Sequence, residues 1–105
     1  MTACRANGLR EVDGERIGTC WATEAELRER FGPPDYERNI SDNVLRAWYF
    51  DTPRGAVELR DYWCDAKNQH CIGAADWRGG LHVAQLLRRM GLKAYHRPPG
   101  ALDGG

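Results

Sequence analysis

Residues 44–50 (VLRAWYF) and 56–63 (AVELRDYW) decide the fold of this chain. Both segments are rich in aromatic and aliphatic residues and alternate with the period of two that is typical of a half-buried strand. Between them, Pro53 suits the first central position of a tight turn, and Gly55 suits a left-handed backbone conformation. The pattern therefore predicts an antiparallel hairpin.

The register of this hairpin follows from bringing the apolar positions opposite each other. The expected facing pairs are Phe50 with Val57, Trp48 with Leu59, Arg46 with Asp61, and Val44 with Trp63. Because strand side chains alternate, this face is predicted to be core and the other face to be partly open. The side chains expected on the open face are Leu45, Ala47, Tyr49, Glu58, Arg60 and Tyr62.

Two helices are predicted on either side of the hairpin. Thr23 followed by Glu26 is a capping-box pattern, and Gly32 with the following Pro33 ends a helix, which gives residues 24–31. Residues 81–90 carry a broad apolar face, and Gly91 suits the position just after a helix end.

The remaining segments complete one domain over residues 1–105, the size that a single core can support. We expect a loose arm or short edge segment at 1–13, a strand at 17–21, a polar connection at 33–43, a third strand at 71–77 and a tail at 97–105. The predicted fold class is α+β, with a small antiparallel sheet (the hairpin plus the third strand) packed by two helices.

Composition excludes several classes of function. Fifteen basic residues balance fifteen acidic ones, which disfavours a duplex-DNA binder because phosphate contacts require a basic excess. No apolar run approaches the roughly 20 residues that span a bilayer, and residues 1–15 lack the apolar region of a signal peptide. We expect a cytoplasmic protein whose four cysteines stay reduced.

Metal binding and catalysis are weakly supported. Cys64, His70 and Cys71, with Cys20 as a fourth ligand, are the best candidates for zinc, but six residues separate the two loop cysteines and no CxxC pair occurs. A Cys64–Cys71 disulfide is about as well supported, provided that the compartment is oxidising. The histidines at 70, 82 and 96 fall in no catalytic motif, so we expect neither an enzyme nor a cofactor.

The strongest candidate site lies where the predicted third strand meets the second helix, at residues 76–82 (DWRGGLH). Free backbone N–H groups at a helix N-terminus favour an anion, and glycines let a ligand approach the backbone. The predicted ligand-binding residues are Trp77, Arg78, Gly79, Gly80 and His82, joined by Tyr49, Arg60 and Tyr62 from the hairpin. In the competing interpretation Gly79-Gly80 is an ordinary turn, Trp77 is core and Arg78 is solvated.

The order of these motifs resembles a loose group of small, mostly uncharacterised proteins encoded by tailed phages. The resemblance covers about residues 24–92 and rests on Phe31-Gly32-Pro33, Ala47-Trp48-Tyr49-Phe50, Asp61-Tyr62-Trp63, and Trp77-x-Gly79-Gly80 before a final helix. The four cysteines and the loop at 64–71 depart from the group.

The resemblance implies a non-catalytic phage accessory protein that inhibits a host defence. One reading is a homo-oligomer that sequesters a signalling nucleotide. A second is an anti-CRISPR-like inhibitor that binds a host defence protein through exposed aromatic residues and arginines. A third, which rests on the cysteines, is a zinc-stabilised interaction domain.

Overall fold

The computed structural model describes residues 3–6, 8–12, 14–61 and 68–96. In chain order their elements are β1 (Cys4–Arg5), β2 (Glu15–Trp21), α1 (Glu24–Phe31), β3 (Tyr36–Ile40), β4 (Asn43–Thr52), β5 (Gly55–Arg60), β6 (Gln69–Ala74), α2 (Trp77–Arg89) and β7 (Lys93–His96).

These strands form one antiparallel sheet, curled into a half-barrel, in the order β1-β4-β5-β6-β2-β7. The strand β3 pairs with β4 outside this path. Because Ala47 pairs with both Tyr36 and Arg60, β3 lies on the edge of β4 opposite β5. Phe50 pairs with both Arg5 and Val57, so β1 occupies the same edge further along.

The predicted fold class is wrong. Strands take up 47% and helices 24% of the described residues, so the molecule is mainly a curled seven-stranded sheet and not a small sheet packed by two helices. The predicted polar connection at 33–43 contains β3, whose residues from Glu37 to Ile40 are all exposed and therefore show no apolar alternation. The strands β1 and β7 are only two and four residues long, too short for a periodic signal.

The central hairpin is confirmed. Trp48 pairs with Leu59 and Phe50 with Val57, and all four side chains are completely buried. Gly55 has a φ of 102°, the left-handed conformation expected of it. The predicted Val44–Trp63 pair falls partly outside the described residues.

The first helix is confirmed with both its boundaries. Thr23 accepts a hydrogen bond from the Glu26 backbone N–H at 3.1 Å, and the Glu26 carboxylate accepts one from the Thr23 N–H at 2.9 Å. Leu27 is fully buried, and the Phe31 ring meets the Phe50 ring edge-to-face at 5.1 Å. This helix covers one end of the core.

The second helix begins four residues earlier than predicted, at Trp77. Asp76 caps it by accepting a hydrogen bond from the Arg78 N–H at 2.9 Å, and the preceding strand ends at Ala74. The predicted third strand at 71–77 is therefore shifted toward the N-terminus, and Gly79-Gly80 belongs to the first turn of α2. Gly91 follows the helix with a φ of 84°, as predicted for that position.

The sheet has two unlike faces. The helix-covered face packs against α1 and α2 and carries Trp48, Phe50, Val57, Leu59 and Ile72, all fully buried. The second face, on the other side of the same strands, carries Arg16, Thr19, Trp21, Ala47, Tyr49, Glu58, Arg60, Gln69, Cys71, Gly73, Lys93 and Tyr95.

Neither helix among the described residues is long and apolar enough to cross a membrane.

Candidate ligand-binding face

The two glycines of the predicted anion site face the protein interior. Both are buried, and a Cβ atom on Gly80 would lie 1.5 Å from Ile17 Cδ1. A Cβ atom on Gly79 would lie 3.1 Å from both Thr52 Oγ1 and Val57 Cγ2. The glycines therefore let α2 approach the sheet closely, which is a packing role and leaves no room for a ligand beside them.

The other predicted residues at this helix end are already engaged. The Asp76 carboxylate caps the helix and lies 3.4 Å from Arg78 Nε, so it supplies the negative charge that a bound anion would bring. The Arg78 guanidinium lies 5.9 Å from the centre of the Trp77 ring, and that ring is 5.7 Å from His96. His82, half-buried on α2, has a buried Nδ1 atom with no hydrogen-bond partner.

The hairpin residues assigned to the same site lie elsewhere. Tyr49 is only 6% exposed and the Arg60 side chain 13%, so neither is the exposed residue that was predicted. Both belong to the second face, whereas α2 lies on the helix-covered face, and the two halves of the predicted site are therefore separated by the sheet. Tyr62 lies outside the described residues.

The weak zinc alternative also divides between the two faces. Cys20 pairs directly with His70 on the helix-covered face, but Cys71, as the next residue of β6, points to the second face. His70 and Cys71 therefore cannot bind the same ion. Cys64 lies outside the described residues, and the described part of the chain holds no group of three or more His, Cys, Asp or Glu side chains placed to hold a metal ion.

The buried thiol and imidazole of the helix-covered face are poor reactive groups. Burial raises the pKa of the Cys20 thiol to about 12, with the Glu26 carboxylate as a second cause, so the thiol keeps its proton. Burial lowers the pKa of the His70 imidazole, which is 3% exposed and packs edge-to-face on Trp48. His70 Nδ1 lies 3.0 Å from the Ala22 carbonyl oxygen, an interaction that fixes the orientation of the ring.

A shallow cavity of about 430 Å³ lies at the opposite edge of the sheet, lined by Arg5, Ala6, Gly8, Phe31, Pro33 and Asp35. The Arg5 side chain forms an ion pair with Asp35 and donates hydrogen bonds to the carbonyl oxygens of Phe31, Pro33 and Tyr49. These interactions fasten β1 and the segment before β3 to β4. The residues that line the cavity therefore have a structural role.

The second face is the surface that remains, and a β-bulge shapes it. The pairing of β2 with β6 shifts between Arg16 and Gly18, so that Ile17 and Gly18 both turn toward the helix-covered face. Arg16 and Thr19 consequently share the second face, where Arg16 Nη2 donates a hydrogen bond to Thr19 Oγ1 at 2.8 Å. The bulge thus brings the guanidinium of Arg16 alongside the middle of β2.

The centre of the second face is buried and ionic. Glu58 accepts a hydrogen bond from Arg60 Nη1 at 3.1 Å, and Glu58 itself is only 9% exposed. Gly73 makes this arrangement possible, because a Cβ atom there would lie 2.8 Å from Arg60 Nη1. The guanidinium group therefore lies directly over the backbone of β6.

The end of the second face formed by β2 and β7 is open and aromatic. Trp21 is 39% exposed and Tyr95 49%, which makes them two of the few large apolar side chains in the described residues that solvent reaches. Trp21 pairs with Lys93, and Thr19 pairs with Tyr95, so the two rings occupy diagonal positions on neighbouring strands. Lys93 Nζ lies 5.1 Å from the centre of the Trp21 ring. Two accessible rings and the Lys93 ammonium group therefore line one side of β2 and β7.

The sequence did not predict this aromatic surface, because Lys93 and Tyr95 belong to β7. Trp21 stands at the end of a predicted strand, and its alternation with Thr19 was a usable signal. The four residues of β7 give no comparable pattern. The bulge that shifts the register of β2 at Ile17 depends on a tertiary contact, the packing of the Ile17 side chain against Gly80.

No protein-family model, curated protein or solved structure matches this chain.

Proposed function

We propose that this protein is a non-catalytic binding protein that holds a nucleotide-containing ligand on its second face. Trp21 and Tyr95 would stack on bases, and Lys93 would compensate the charge of a phosphate. The observation that carries the proposal is the pair of exposed rings on adjacent antiparallel strands, with the Lys93 ammonium group 5.1 Å from the centre of the Trp21 ring.

Stacking on exposed aromatic side chains gives a favourable free energy for the binding of nucleic-acid bases. Stacking of a base on an aromatic side chain contributes ~1–3 kcal/mol and tolerates any base, because every base has a flat apolar face. Trp and Tyr side chains have only two χ angles each, so Trp21 and Tyr95 lose little side-chain entropy when a ligand binds. Stacking and ion pairing require no nucleophile or proton donor, in keeping with a binding role.

The balanced charge of the whole chain is compatible with a small or single-stranded ligand. Fifteen basic and fifteen acidic residues give the chain no basic excess for a duplex, whereas Lys93 places one cation beside the Trp21 ring. Taken with the resemblance to phage accessory proteins, this supports sequestration of a nucleotide signal of a host defence, in the host cytoplasm.

A panel of nucleotides, measured by calorimetric titration, tests the proposal. We expect binding that Trp21→Ala and Tyr95→Ala each weaken by about tenfold or more, as expected for the loss of one stacked base. Arg78→Ala is the matched control, since Arg78 is an exposed cation beside the half-buried indole ring of Trp77, away from the second face. Absence of binding across the panel, or loss of binding with Arg78→Ala alone, would contradict the proposed site.

A second candidate function is inhibition of a host defence complex by direct protein binding. It is favoured by β3, an edge strand that pairs only with β4 in the described part of the chain and that exposes 42% of Ile40. Co-purification with a host protein that Ile40→Asp prevents and Trp21→Ala leaves intact would establish this candidate in place of the first.

A further inference from the structure

We infer that the free edge of β3 accepts an extended segment of another protein as an added antiparallel strand, with an acidic side chain opposite Arg38 and an apolar one opposite Ile40. This inference rests on the second candidate function, whose partner and mode of binding it specifies, and it is independent of nucleotide binding on the second face. It follows from the direction of the backbone groups of β3 and from the side chains beside them.

The strands β3 and β4 continue past the rest of the sheet as a two-stranded ribbon. The pairing of β4 with β5 begins at Ala47, whereas the pairing of β4 with β3 extends to Asn43. Residues 37–40 of β3 are all exposed. This part of β3 therefore has β4 on one side and, in the described part of the chain, no strand on the other.

The hydrogen bonds of β4 show which backbone groups of β3 face outward. The Arg46 N–H donates to the Asp61 carboxylate at 2.7 Å, and the Arg46 carbonyl accepts from the Asp61 N–H at 3.1 Å, so both groups face away from β3. Glu37, opposite Arg46, is therefore at a non-hydrogen-bonded position, and its own N–H and C=O face outward. Asn39, two residues later, repeats this orientation. The N–H and C=O groups of both residues line the free edge.

This edge differs from the places where β4 lacks a strand neighbour. There the chain supplies carboxylates of its own, one that accepts from the Arg46 N–H and that of Asp35, which accepts from the Tyr49 N–H at 2.8 Å. Among the described residues, no side chain accepts from the N–H of Glu37 or Asn39. Unoccupied backbone groups along a strand are the template on which a further strand adds.

The side chains of β3 define the chemistry of the added strand. Arg38 is exposed and forms no ion pair within the described residues. Glu37, on the opposite face of the ribbon, already lies 3.3 Å from Arg28 and 2.9 Å from Arg46. Ile40 shares the face of Arg38 and is 42% exposed. A partner strand therefore gains most from a carboxylate opposite Arg38 and a branched aliphatic side chain opposite Ile40.

A second copy of the chain fits this edge poorly. Two copies of β3 that pair about a two-fold axis perpendicular to the sheet place one residue opposite its own copy. An axis at Arg38 brings two guanidinium groups together and an axis at Glu37 two carboxylates, and like charges in directly opposite positions are destabilising. An axis at Asn39 confines the pairing to the end of β3, because the turn at Ser41 follows. The partner is therefore a strand of a different protein.

A synthetic peptide that contains Val-Thr-Glu-Thr-Val is the probe. In the antiparallel register its glutamate lies opposite Arg38, a valine opposite Ile40, and the two threonines opposite Glu37 and Asn39. Titration into the isotopically labelled protein, followed by NMR, should shift the amide resonances of Glu37 and Asn39 most. We expect an affinity in the millimolar range, because ordering a free peptide costs conformational entropy.

Methylation of the peptide backbone tests strand addition directly. The threonine N–H groups bond to β3 in this register, whereas the glutamate N–H faces away. N-methylation of both threonines should therefore weaken binding at least about tenfold, and N-methylation of the glutamate should change it by less than about threefold. Equal affinities of the two methylated peptides would overturn strand addition.

A charge exchange tests the acidic residue. A peptide with lysine in place of the glutamate should bind about threefold or more weakly to the natural chain, and Arg38→Glu should reverse that preference. Arg89→Glu is the matched control, since Arg89 is an exposed cation on α2, and it should keep the preference for the glutamate peptide. An unchanged preference in Arg38→Glu would overturn the assigned partner chemistry.

The remaining outcomes separate this inference from both functions. No shift of any resonance at about 5 mM peptide, in a protein that melts as the folded chain does, would overturn it. Self-association that Ile40→Asp abolishes would assign the edge to a second copy and overturn it as well. A host protein whose co-purification Ile40→Asp prevents, together with peptide binding insensitive to N-methylation, would leave protein binding standing without strand addition. Trp21→Ala should leave peptide binding unchanged, so none of these results bears on nucleotide binding.

Discussion

The two faces of the sheet are built from the same strands but are stabilised in different ways. On the helix-covered face, Trp48, Phe50, Val57 and Leu59 are fully buried, and the contacts are almost entirely apolar. On the second face, the centre holds the Glu58–Arg60 ion pair and the rim exposes Trp21 and Tyr95. The helix-covered face therefore supplies the apolar core, and the rim of the second face keeps aromatic side chains that a ligand could reach. Antiparallel sheets commonly pack one face against the core and leave the other in contact with solvent.

The largest difference between the faces should appear on truncating an aromatic side chain. Phe50→Ala should lower the free energy of unfolding by about 3–5 kcal/mol, because it leaves a cavity in a fully packed core. Chemical denaturation monitored by circular dichroism gives the value. A loss below about 1 kcal/mol would show that the helix-covered face is not the main source of stability.

Breaking the Glu58–Arg60 ion pair at the centre of the second face should lower the free energy of unfolding by less, and the effects of the two substitutions should not add. Glu58→Leu alone should cost about 3 kcal/mol, because it removes the carboxylate 3.1 Å from Arg60 while leaving that mostly buried guanidinium in place. The double variant Glu58→Leu with Arg60→Leu should recover much of the loss, since two apolar side chains replace a pair that is costly to desolvate. Strictly additive losses in a double-mutant cycle would show that the two charges do not stabilise each other.

A pH effect should come from the helix-covered face. Burial lowers the pKa of His70 from its ordinary 6.5, so the unfolded chain takes up a proton at a higher pH than the folded chain does. The full stability is present above about pH 6.5 and is lost as the pH falls below it, by at most about 1.4 kcal/mol per pH unit for each such histidine. His96, whose pKa burial also lowers, adds to the same trend.

His70→Phe tests the origin of this trend. Denaturation midpoints measured between pH 5.5 and 7.5 should depend less on pH in the variant, whatever its absolute stability after losing the interaction with the Ala22 carbonyl. An unchanged dependence on pH would assign the effect to other groups.

The smallest change in stability is expected at the rim of the second face. Trp21→Ala and Tyr95→Ala remove side chains that are 39% and 49% exposed, so each should alter the free energy of unfolding by less than about 1 kcal/mol. Thermal melts of the ligand-free variants measure this directly. A loss as large as that of Phe50→Ala would mean that these rings belong to the core, and would remove the comparison between the faces.

The parts of the fold that were predictable are those with strong local patterns. Alternation fixed the pairing of Phe50 with Val57, and the capping box of Thr23 and Glu26 set the start of α1. The start of α2 was predicted wrongly because two glycines are unfavourable inside a helix, and only the close packing of Gly80 on Ile17 explains their presence there.

The candidate site was less predictable because it depends on tertiary contacts. Tyr49 is buried because Ala6, Val12 and Tyr36 pack over it, and nothing in the alternation of β4 indicates that cover. Tyr95 and Trp21 come together only through the pairing of β7 with β2, across more than 70 residues of sequence. The strand that supplies Tyr95 is too short to be recognised before it is paired.

The strand β4 also shows how the sheet closes a gap in its own hydrogen bonding. Between the segments paired with β1 and β3, the Tyr49 N–H donates to the Asp35 carboxylate at 2.8 Å, while the Tyr49 carbonyl accepts from the Ala6 N–H at 3.0 Å and from Arg5 at 2.9 Å. The Asp35 carboxylate, held by its ion pair with Arg5, thus takes the place of a strand acceptor for the Tyr49 N–H. Because an open backbone edge is a template for adding foreign strands, this pair of side chains also protects the chain against edge-to-edge aggregation at that point.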